Sequence, residues 1–294
     1  MNASAIRIIK TDTLDAKQLL AVKELEALCR KNENLTGSLF LSSELNEYPN
    51  FPCFMLLYEN NFLSAFLSVF IPAEDEAEIS VCTHPEHRLQ GFCNMLLDEA
   101  FDLLDEYGIN NITFVTEPNG KAFSYVLKSL EAVKYNSEYF MTFNAPKLLC
   151  DALKDNGYEL WPAPAESLSA HIDLHHRAFD IEYNDAADFV SALFNDNSIK
   201  PFSLYDKTSS EILGSCYIDE SVTDSLIILG VSISPSHQGK GLGRNMMLQL
   251  ISKYALSYGK QIMLQVSGNN LPAKHLYDSL GFTVTSQFDY WYLP

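Results

Sequence analysis

Three glycines on alternate positions, Gly239, Gly241 and Gly243, stand between an apolar run and a long amphipathic segment, in a chain with 13 glycines among 294 residues. Glycine permits positive φ and, lacking a Cβ, lets another molecule approach the backbone closely. Where a strand runs into a helix, such a series exposes successive amide N–H groups. With the helix N-terminal dipole, these make an anion site that suits a pyrophosphate. Lys240 and Arg244 add cations at the same place. The bland alternative is a tight turn that uses glycine for packing alone. Two familiar nucleotide plans fail on register. A G-x-G-x-x-G fingerprint started at Gly239 needs a glycine where Arg244 stands, and started at Gly241 it needs one at Met246. A P-loop needs a glycine five positions before Gly-Lys, where the chain has Ser234 or Tyr254.

The elements that must position this stretch recur in both halves of the chain. Periodicity and turn signals predict, in the first half, a strand at Ile6 to Lys10, a helix from Asp15 to Arg30, and strands at Phe51 to Tyr58 and Phe62 to Ile71 joined at Glu59-Asn60-Asn61. A strand at Ala77 to Thr83, a turn with Pro85 and a helix from Gly91 to Tyr107 closed by Gly108 follow. A strand at Asn111 to Thr116, a helix from Lys121 to Leu130 and a strand from Ala132 to Phe143 end the half.

The second half is predicted as a strand at Tyr158 to Trp161, helices at Leu168 to Phe179 and Asp185 to Phe194, and strands at Pro201 to Tyr205, Ile212 to Asp219 and Ser225 to Ile233. A helix from Gly241 to Tyr258, a strand from Gln261 to Val266, a helix from Leu271 to Leu280 and a strand from Phe282 to Tyr292 follow. Gly91 and Gly108 stand 17 positions apart, and Gly241 and Gly259 stand 18 apart. This repetition implies two α/β domains, each a mixed sheet with helices on both faces. The division falls at 1–145 and 146–294, in a stretch from Asn144 to Asn156 that holds a short helical linker.

Composition narrows the function classes. A formal charge of −18 argues against a nucleic-acid partner, which needs a basic surface. No apolar run approaches the roughly 20 residues that cross a bilayer, so no membrane partner is expected. The N-terminus lacks the basic and apolar regions of a secretory signal, and the expected location is the cytoplasm. The six cysteines, Cys29, Cys53, Cys82, Cys93, Cys150 and Cys216, show no C-x-x-C pair and read as isolated thiols.

Gln238-Gly239-Lys240-Gly241-Leu242-Gly243 resembles the acetyl-CoA signature of the GNAT superfamily of N-acetyltransferases, Gln or Arg followed by x-x-Gly-x-Gly or Ala. Asn270-Leu271-Pro272-Ala273-Lys274-His275-Leu276-Tyr277-Asp278-Ser279-Leu280-Gly281-Phe282 resembles the family's second signature, Asn-x-x-Ala-x-x-Leu-Tyr-x-x-x-Gly-Phe. The resemblance implies two tandem GNAT-like domains, each with a splayed sheet. It also implies transfer of an acetyl group from acetyl-CoA, as co-substrate, to an amine of a small molecule or peptide by direct attack in a ternary complex, with no metal. By the same resemblance, amides of Gly239, Lys240, Gly241, Leu242, Gly243 and Arg244 would hold the CoA pyrophosphate, with Gln238 shaping the turn. Backbone groups of Val231 and Ile233 would pair with the pantetheine arm. Asn270 would contact that arm, Ala273 would leave room for it, Lys274 would meet a CoA phosphate, and Tyr277 would protonate the departing thiolate. Asn270 also suits a helix N-cap, Lys274 a solvated surface and Tyr277 a half-buried helix aromatic. Assembly as a homodimer is compatible with this reading.

The pattern breaks in two places. The family's central-strand Glu falls on Ile227, so another group must take the amine proton. Asp224, Asp219, Glu220, Glu182 and the group His171, His175, His176 are the candidates. His171 and His175, four apart on a helix, have metal-ligand spacing, but the weight lies with surface or capping histidines. In the first half, Arg88-Leu89-Gln90-Gly91-Phe92-Cys93 resembles the CoA signature with Cys93 in its last small position. There Asn119-Gly120-Lys121-Ala122 keeps the opening of the second signature, but Val126 or Leu127 occupies the tyrosine slot. This copy is expected to be degenerate, its cradle crowded by the larger residues. A non-catalytic acyl-CoA-binding or regulatory protein is the competing class.

Overall fold

A computed structural model describes residues 5–144 and 157–294, so most of the stretch expected to link the halves lies outside the described residues. The chain forms two compact units, Met1–Glu138 with Ser286–Pro294, and Tyr139–Thr285.

In the first unit, β1 (Ile6–Thr11) pairs antiparallel with β2 (Phe54–Glu59), and β2 with β3 (Phe62–Ala73). The hairpin between β2 and β3 turns at Asn60 and Asn61, with φ of 50° and 71°. Asparagine tolerates this left-handed pair better than other side chains, which marks a tight hairpin. β4 (Glu76–Thr83) follows antiparallel to β3, and β5 (Asn111–Thr116) runs parallel to β4. A parallel neighbour needs a crossover, here α2 (Phe92–Glu106). α1 (Ala16–Glu33) starts at a capping box in which Asp15 accepts from Gln18 N while Gln18 returns a bond to Asp15 N. Its buried face, Val22, Leu25 and Cys29, joins a core with Leu56, Phe66, Leu96 and Phe114. No second helix follows α1; Glu117 instead accepts from the amides of Thr36 and Gly37 at 2.7 and 2.9 Å. After β5 come α3 (Lys121–Ser129) and β6 (Val133–Phe143).

The second unit contains β7 (Tyr158–Pro162), α4 (Leu168–Phe179), α5 (Tyr183–Asn195), β8 (Ile199–Asp206), β9 (Ile212–Asp219) and β10 (Ser225–Ile233). Then come α6 (Leu242–Gln249), β11 (Gln261–Ser267), α7 (Leu271–Leu280) and β12 (Phe282–Tyr292). Its strands lie in the order β11-β10-β9-β8-β7, antiparallel except for β10 and β11. Leu226 and Ile228 of β10 pack with Met246, Met247 and Leu264 in one core, while Ile172, Ala186 and Val190 of α4 and α5 form another cluster. The helix expected from Gly241 to Tyr258 departs from α geometry at Leu250, passing through a π turn and a 3₁₀ turn before Gly259 ends it at φ 65°.

The division at residue 145 expected from chain order is not where the compact units part. β6 leaves the first unit after Glu138, and the last residues of β12 belong to the first unit, where Asp289 to Tyr292 pair antiparallel with Thr116 to Thr113 of β5. Asp289, 5% exposed, is satisfied there by Ser137 Oγ and Lys134 Nζ, each at 2.8 Å. Both halves follow one plan, so their last strands have equivalent pairing patterns, and order along the chain does not dictate which sheet a last strand completes.

Candidate active site

In the second unit, β10 and β11 stay in parallel register from Ser225 opposite Gln261 to Ile228 opposite Leu264, and no further. On its other side, β10 slips register against β9 between Leu229 and Ser232. Gly230 sits in that irregularity at φ 55°, and a Cβ there would lie 2.8 Å from the Tyr217 ring. The strand therefore leaves β11 over Leu229 to Ile233, and Val231 and Ile233 fall in the opening. A strand edge without a ladder partner presents N–H and C=O groups to an extended ligand.

At the end of this opening the chain turns through Pro235–His237 into the glycine stretch. Gly239 and Gly241 have φ of 73° and 81°, and a Cβ built on either meets nothing within 4 Å. Both conditions fit a bulky anion: the backbone is in the region glycine favours, and the space before it is open. Gly241 is the N-cap of α6, and no side chain caps the helix, so the first-turn amides of Leu242, Gly243 and Arg244 keep their donor capacity. Gly243 has a different role. A Cβ there would come within 3.3 Å of Leu276 and 3.8 Å of Ile233, so glycine lets β10, α6 and α7 converge. Gln238 Nε2 donates to Ile233 O at 3.1 Å and closes the turn.

The cationic side chains are engaged with protein. Lys240 Nζ donates to Ser236 O at 2.9 Å, and Arg244 bonds Ser279 O and Oγ at 3.1 and 2.7 Å, tying α6 to α7. Lys274 pairs with Asp278 at 3.1 Å and lies over the Tyr139 ring. Asn270 is the N-cap of α7, its Oδ1 accepting from Ala273 N at 3.1 Å. Ala273, Leu276, Val231 and Ile233 all pack against the core that contains Tyr277. The Tyr277 ring is 5% exposed, and burial pushes its phenol well above the ordinary tyrosine value, which holds the proton on it. Its hydroxyl makes no hydrogen bond among the described residues and is not sealed from solvent, unlike His175 Nδ1 and Trp291 Nε1.

The candidate proton acceptors separate cleanly. Asp224 precedes β10 at the end opposite the opening, roughly 20 Å from Val231 at the rise of a strand. Asp219 stands opposite Ile227 and accepts from Ser221 N, and Glu220 is bonded to Tyr258 OH at 2.6 Å. Contrary to the surface or capping role expected of His171 and His175, both are buried. His171 has both ring nitrogens occupied, by Tyr217 OH at 3.0 Å and Ser203 Oγ at 2.7 Å, and burial takes it down to about 4. It is a structural group and not a metal ligand. Among the described residues no group of three His, Cys, Asp or Glu is arranged to hold a metal ion. His176 does bond near a helix end, through Nδ1 to Ile181 O. His175, 6% exposed, lies between the rings of Phe179 and Phe189 at 4.3 and 4.8 Å, and its Nδ1 has no partner. Burial lowers its pKa, so the ring is neutral. Phe189 in turn reaches the irregularity in β10, 3.9 Å from where a Gly230 Cβ would stand. Glycine content does not flag Gly230, and aromatic content does not flag Phe189. The signal for both is the lost register of β10, which is visible only in the folded sheet.

The first unit repeats the same geometry. β4 and β5 stay in register from Glu76 opposite Asn111 to Ile79 opposite Phe114 and then part. Leu89 takes φ 61° and Gly91 84°, close to Gly239 and Gly241, and Arg88 Nε donates to Thr83 O at 3.3 Å as Gln238 does to Ile233. A cavity of about 690 Å³ opens here, lined among others by Val81, Thr83, Gly91, Cys93 and Lys121. Leu89 is fully exposed, and Cys93, in the position that Gly243 holds in the second unit, lies in the cavity wall.

Each unit thus carries an α/β sheet that opens beside a helix N-terminus without a side-chain cap. The sequence matches the acetyltransferase (GNAT) family over residues 19–128 and 161–282, and the chain belongs to that family. The chain is 45% identical over 58 residues to an L-amino acid N-acyltransferase of Escherichia coli (strain K12) and to an L-methionine sulfoximine/L-methionine sulfone acetyltransferase of Salmonella typhimurium. Each match covers 19% of this chain and 33% of the relative. It is 26% identical over 109 residues to an L-2,4-diaminobutyric acid acetyltransferase of Virgibacillus pantothenticus, covering 36% of this chain and 65% of that one. The chain thus spans a third to two thirds of the length of these relatives. Among solved structures, a GCN5-related N-acetyltransferase from Sphaerobacter thermophilus aligns over 98% of this chain and 95% of its own, with a TM-score of 0.80 and 12% identity. A tandem GNAT protein from the clavulanic acid biosynthesis pathway aligns over 98% of both chains, with a TM-score of 0.71 and 13% identity. At that identity the structures share the fold alone.

Proposed function

We propose that the protein is an N-acetyltransferase that moves an acetyl group from acetyl-CoA to the amine of a small, amino-acid-like molecule, with its working site in the second unit. One observation carries the reading: the parallel pairing of β10 and β11 ends at Ile228 and Leu264, directly before a turn with two open glycines and an uncapped helix. When bound, acetyl-CoA supplies an acyl group already activated as a thioester. The amides from Gly239 to Arg244 bind the pyrophosphate, with Lys240 and Arg244 adding charge nearby while their side chains hold the turn. The edge of β10 at Val231 and Ile233 pairs with the extended arm and offers an N–H to the thioester carbonyl. Tyr277 brings a phenol that keeps its proton until a thiolate departs. The attacking amine gives up its proton to water. The names of the amino-acid acyltransferases among the relatives support a small acceptor over a peptide.

CoA release, followed with a thiol reagent across L-amino acids, their derivatives, polyamines and peptide N-termini, tests this. Turnover of an amino-acid amine is the expected result. If no amine is turned over while acetyl-CoA still raises the melting temperature, the chain is a binder and the catalytic reading falls.

A further inference from the structure

The cysteines that read as isolated thiols in the sequence are not all isolated in the fold. Cys29, on the last turns of α1, and Cys82, on the part of β4 that has left β5, stand 53 positions apart in sequence and both line the 690 Å³ cavity of the first unit. Cys29 Sγ donates at 3.3 Å to the carbonyl oxygen of Thr83, the residue after Cys82, which brings the two cysteines together in the cavity wall. Beside them lies the Arg88 guanidinium, which bonds Thr83 O and Asn32 Oδ1 and pairs with Glu33 at 3.4 Å. The contact is asymmetric. The Cys82 thiol as a neighbouring donor and then the Arg88 charge bring the Cys29 thiol below the usual cysteine value against the opposing effect of burial, while donation toward Cys29 and burial hold Cys82 well above it. No other described cysteine is shifted downward: burial raises Cys53 to about 11 and Cys93 to about 12, and pushes Cys216 up as well. One thiol that ionises readily, next to a second that keeps its proton, is the arrangement that thiol–disulfide exchange requires.

We propose that Cys29 and Cys82 form a thiol–disulfide exchange site in the first-unit cavity, taking a low-molecular-weight disulfide as its oxidant. Cys29 Sγ, its proton released to solvent, attacks one ligand sulfur. A Cys29–ligand S–S bond forms, the ligand's own S–S bond breaks, and half of the ligand leaves as a thiolate. Cys82 then gives up its proton to that thiolate and attacks Cys29 Sγ, forming the Cys29–Cys82 bond and releasing the second half of the ligand. The cysteine pair loses two electrons and the ligand disulfide gains them. The site is independent of acyl transfer in the second unit.

Oxidised glutathione is the probe. Incubation of the full chain, alkylation of the remaining thiols and peptide mapping should show a Cys29–Cys82 linked peptide lighter by two hydrogens than its reduced parts. In Cys82→Ser the second step is blocked, and glutathione should accumulate on Cys29. In Cys29→Ser, Cys82 should remain a free thiol. The proposal is overturned if folded wild-type protein gives no linked peptide, or if Cys82→Ser carries glutathione on Cys93 or Cys53 in preference to Cys29. Should either variant fail to fold, the wild-type protein decides. Iodoacetamide should modify Cys29 at least about tenfold faster than Cys53 and Cys93, and equal rates would refute the site.

Discussion

Gln238 Nε2 donates to the carbonyl oxygen of Ile233 at 3.1 Å, so the side chain that opens the glycine stretch also pins the last residue of the strand before it. In the first unit Arg88 reaches Thr83 in the same way, at 3.3 Å. Arginine and glutamine therefore do one job at this position, which is to lock the strand end against the turn that follows it.

That equivalence predicts a graded result. Gln238→Ala should weaken acetyl-CoA binding by about 2- to 10-fold, the worth of one net hydrogen bond of 0.5–1.5 kcal/mol. Gln238→Arg should restore most of it. Calorimetric titration of the three proteins checks this. Equal affinity in all three would mean that the turn holds without the clamp.

The glycines should not respond alike to alanine. Gly241→Ala has open space for its methyl but keeps φ near 81°, so the expected cost is about 1–2 kcal/mol of stability plus a loss of cofactor affinity. Gly243→Ala has no such dihedral penalty, and its methyl meets only the movable Leu276 side chain at 3.3 Å. Denaturant melts should place Gly241→Ala clearly below Gly243→Ala. The reverse order would mean that contact at α7 matters more than backbone conformation.

Much of this site was legible before folding was considered. The strand from Ser225 to Ile233 and the helix from Leu271 to Leu280 lie where periodicity put them, because apolar runs bounded by Asp224, Pro235, Asn270 and Gly281 carry their own stop signals. The pairing of Cys29 with Cys82 and the place of Phe189 beside Gly230 were not legible. Each joins residues 41 or more positions apart through strand register, which no local pattern records. The fate of β12 was hidden for a related reason, since a last strand that fits either sheet carries no mark of the one it completes. The histidines were misread because helix spacing shows which residues share a face and not what covers that face. Tyr217, Ser203 and Phe194 cover His171.

Tyr277 offers a clean separation of chemistry from structure. Its hydroxyl makes no hydrogen bond among the described residues, so Tyr277→Phe removes an oxygen without stranding a partner. The ring keeps its packing against Phe282 at 5.9 Å. The melting temperature and acetyl-CoA affinity should stay near wild type while turnover drops about 10²- to 10⁴-fold, the range for losing a positioned acid. Full activity in this variant would remove Tyr277 from the mechanism.

His171 predicts how the fold responds to acid. Burial sets it at about 4 in the folded chain, against 6.5 for the free side chain. Above pH 6.5 neither state holds the extra proton, and the histidine contributes nothing to the pH dependence. Between 6.5 and 4 the unfolded chain binds a proton that the folded chain refuses, so stability falls as pH falls, and below 4 the loss levels off. A difference of this size corresponds to roughly 3 kcal/mol over the window. His171→Gln can still donate to one of Tyr217 and Ser203 and accept from the other, but it cannot titrate. Urea melts from pH 7.5 to 4 should show the wild type losing more stability than His171→Gln by about that amount. His175, lowered for the same reason, should leave a smaller acid sensitivity in the variant. Parallel stability curves for the two proteins would show that His171 takes up its proton in the folded state, and that the network with Tyr217 and Ser203 does not keep it neutral.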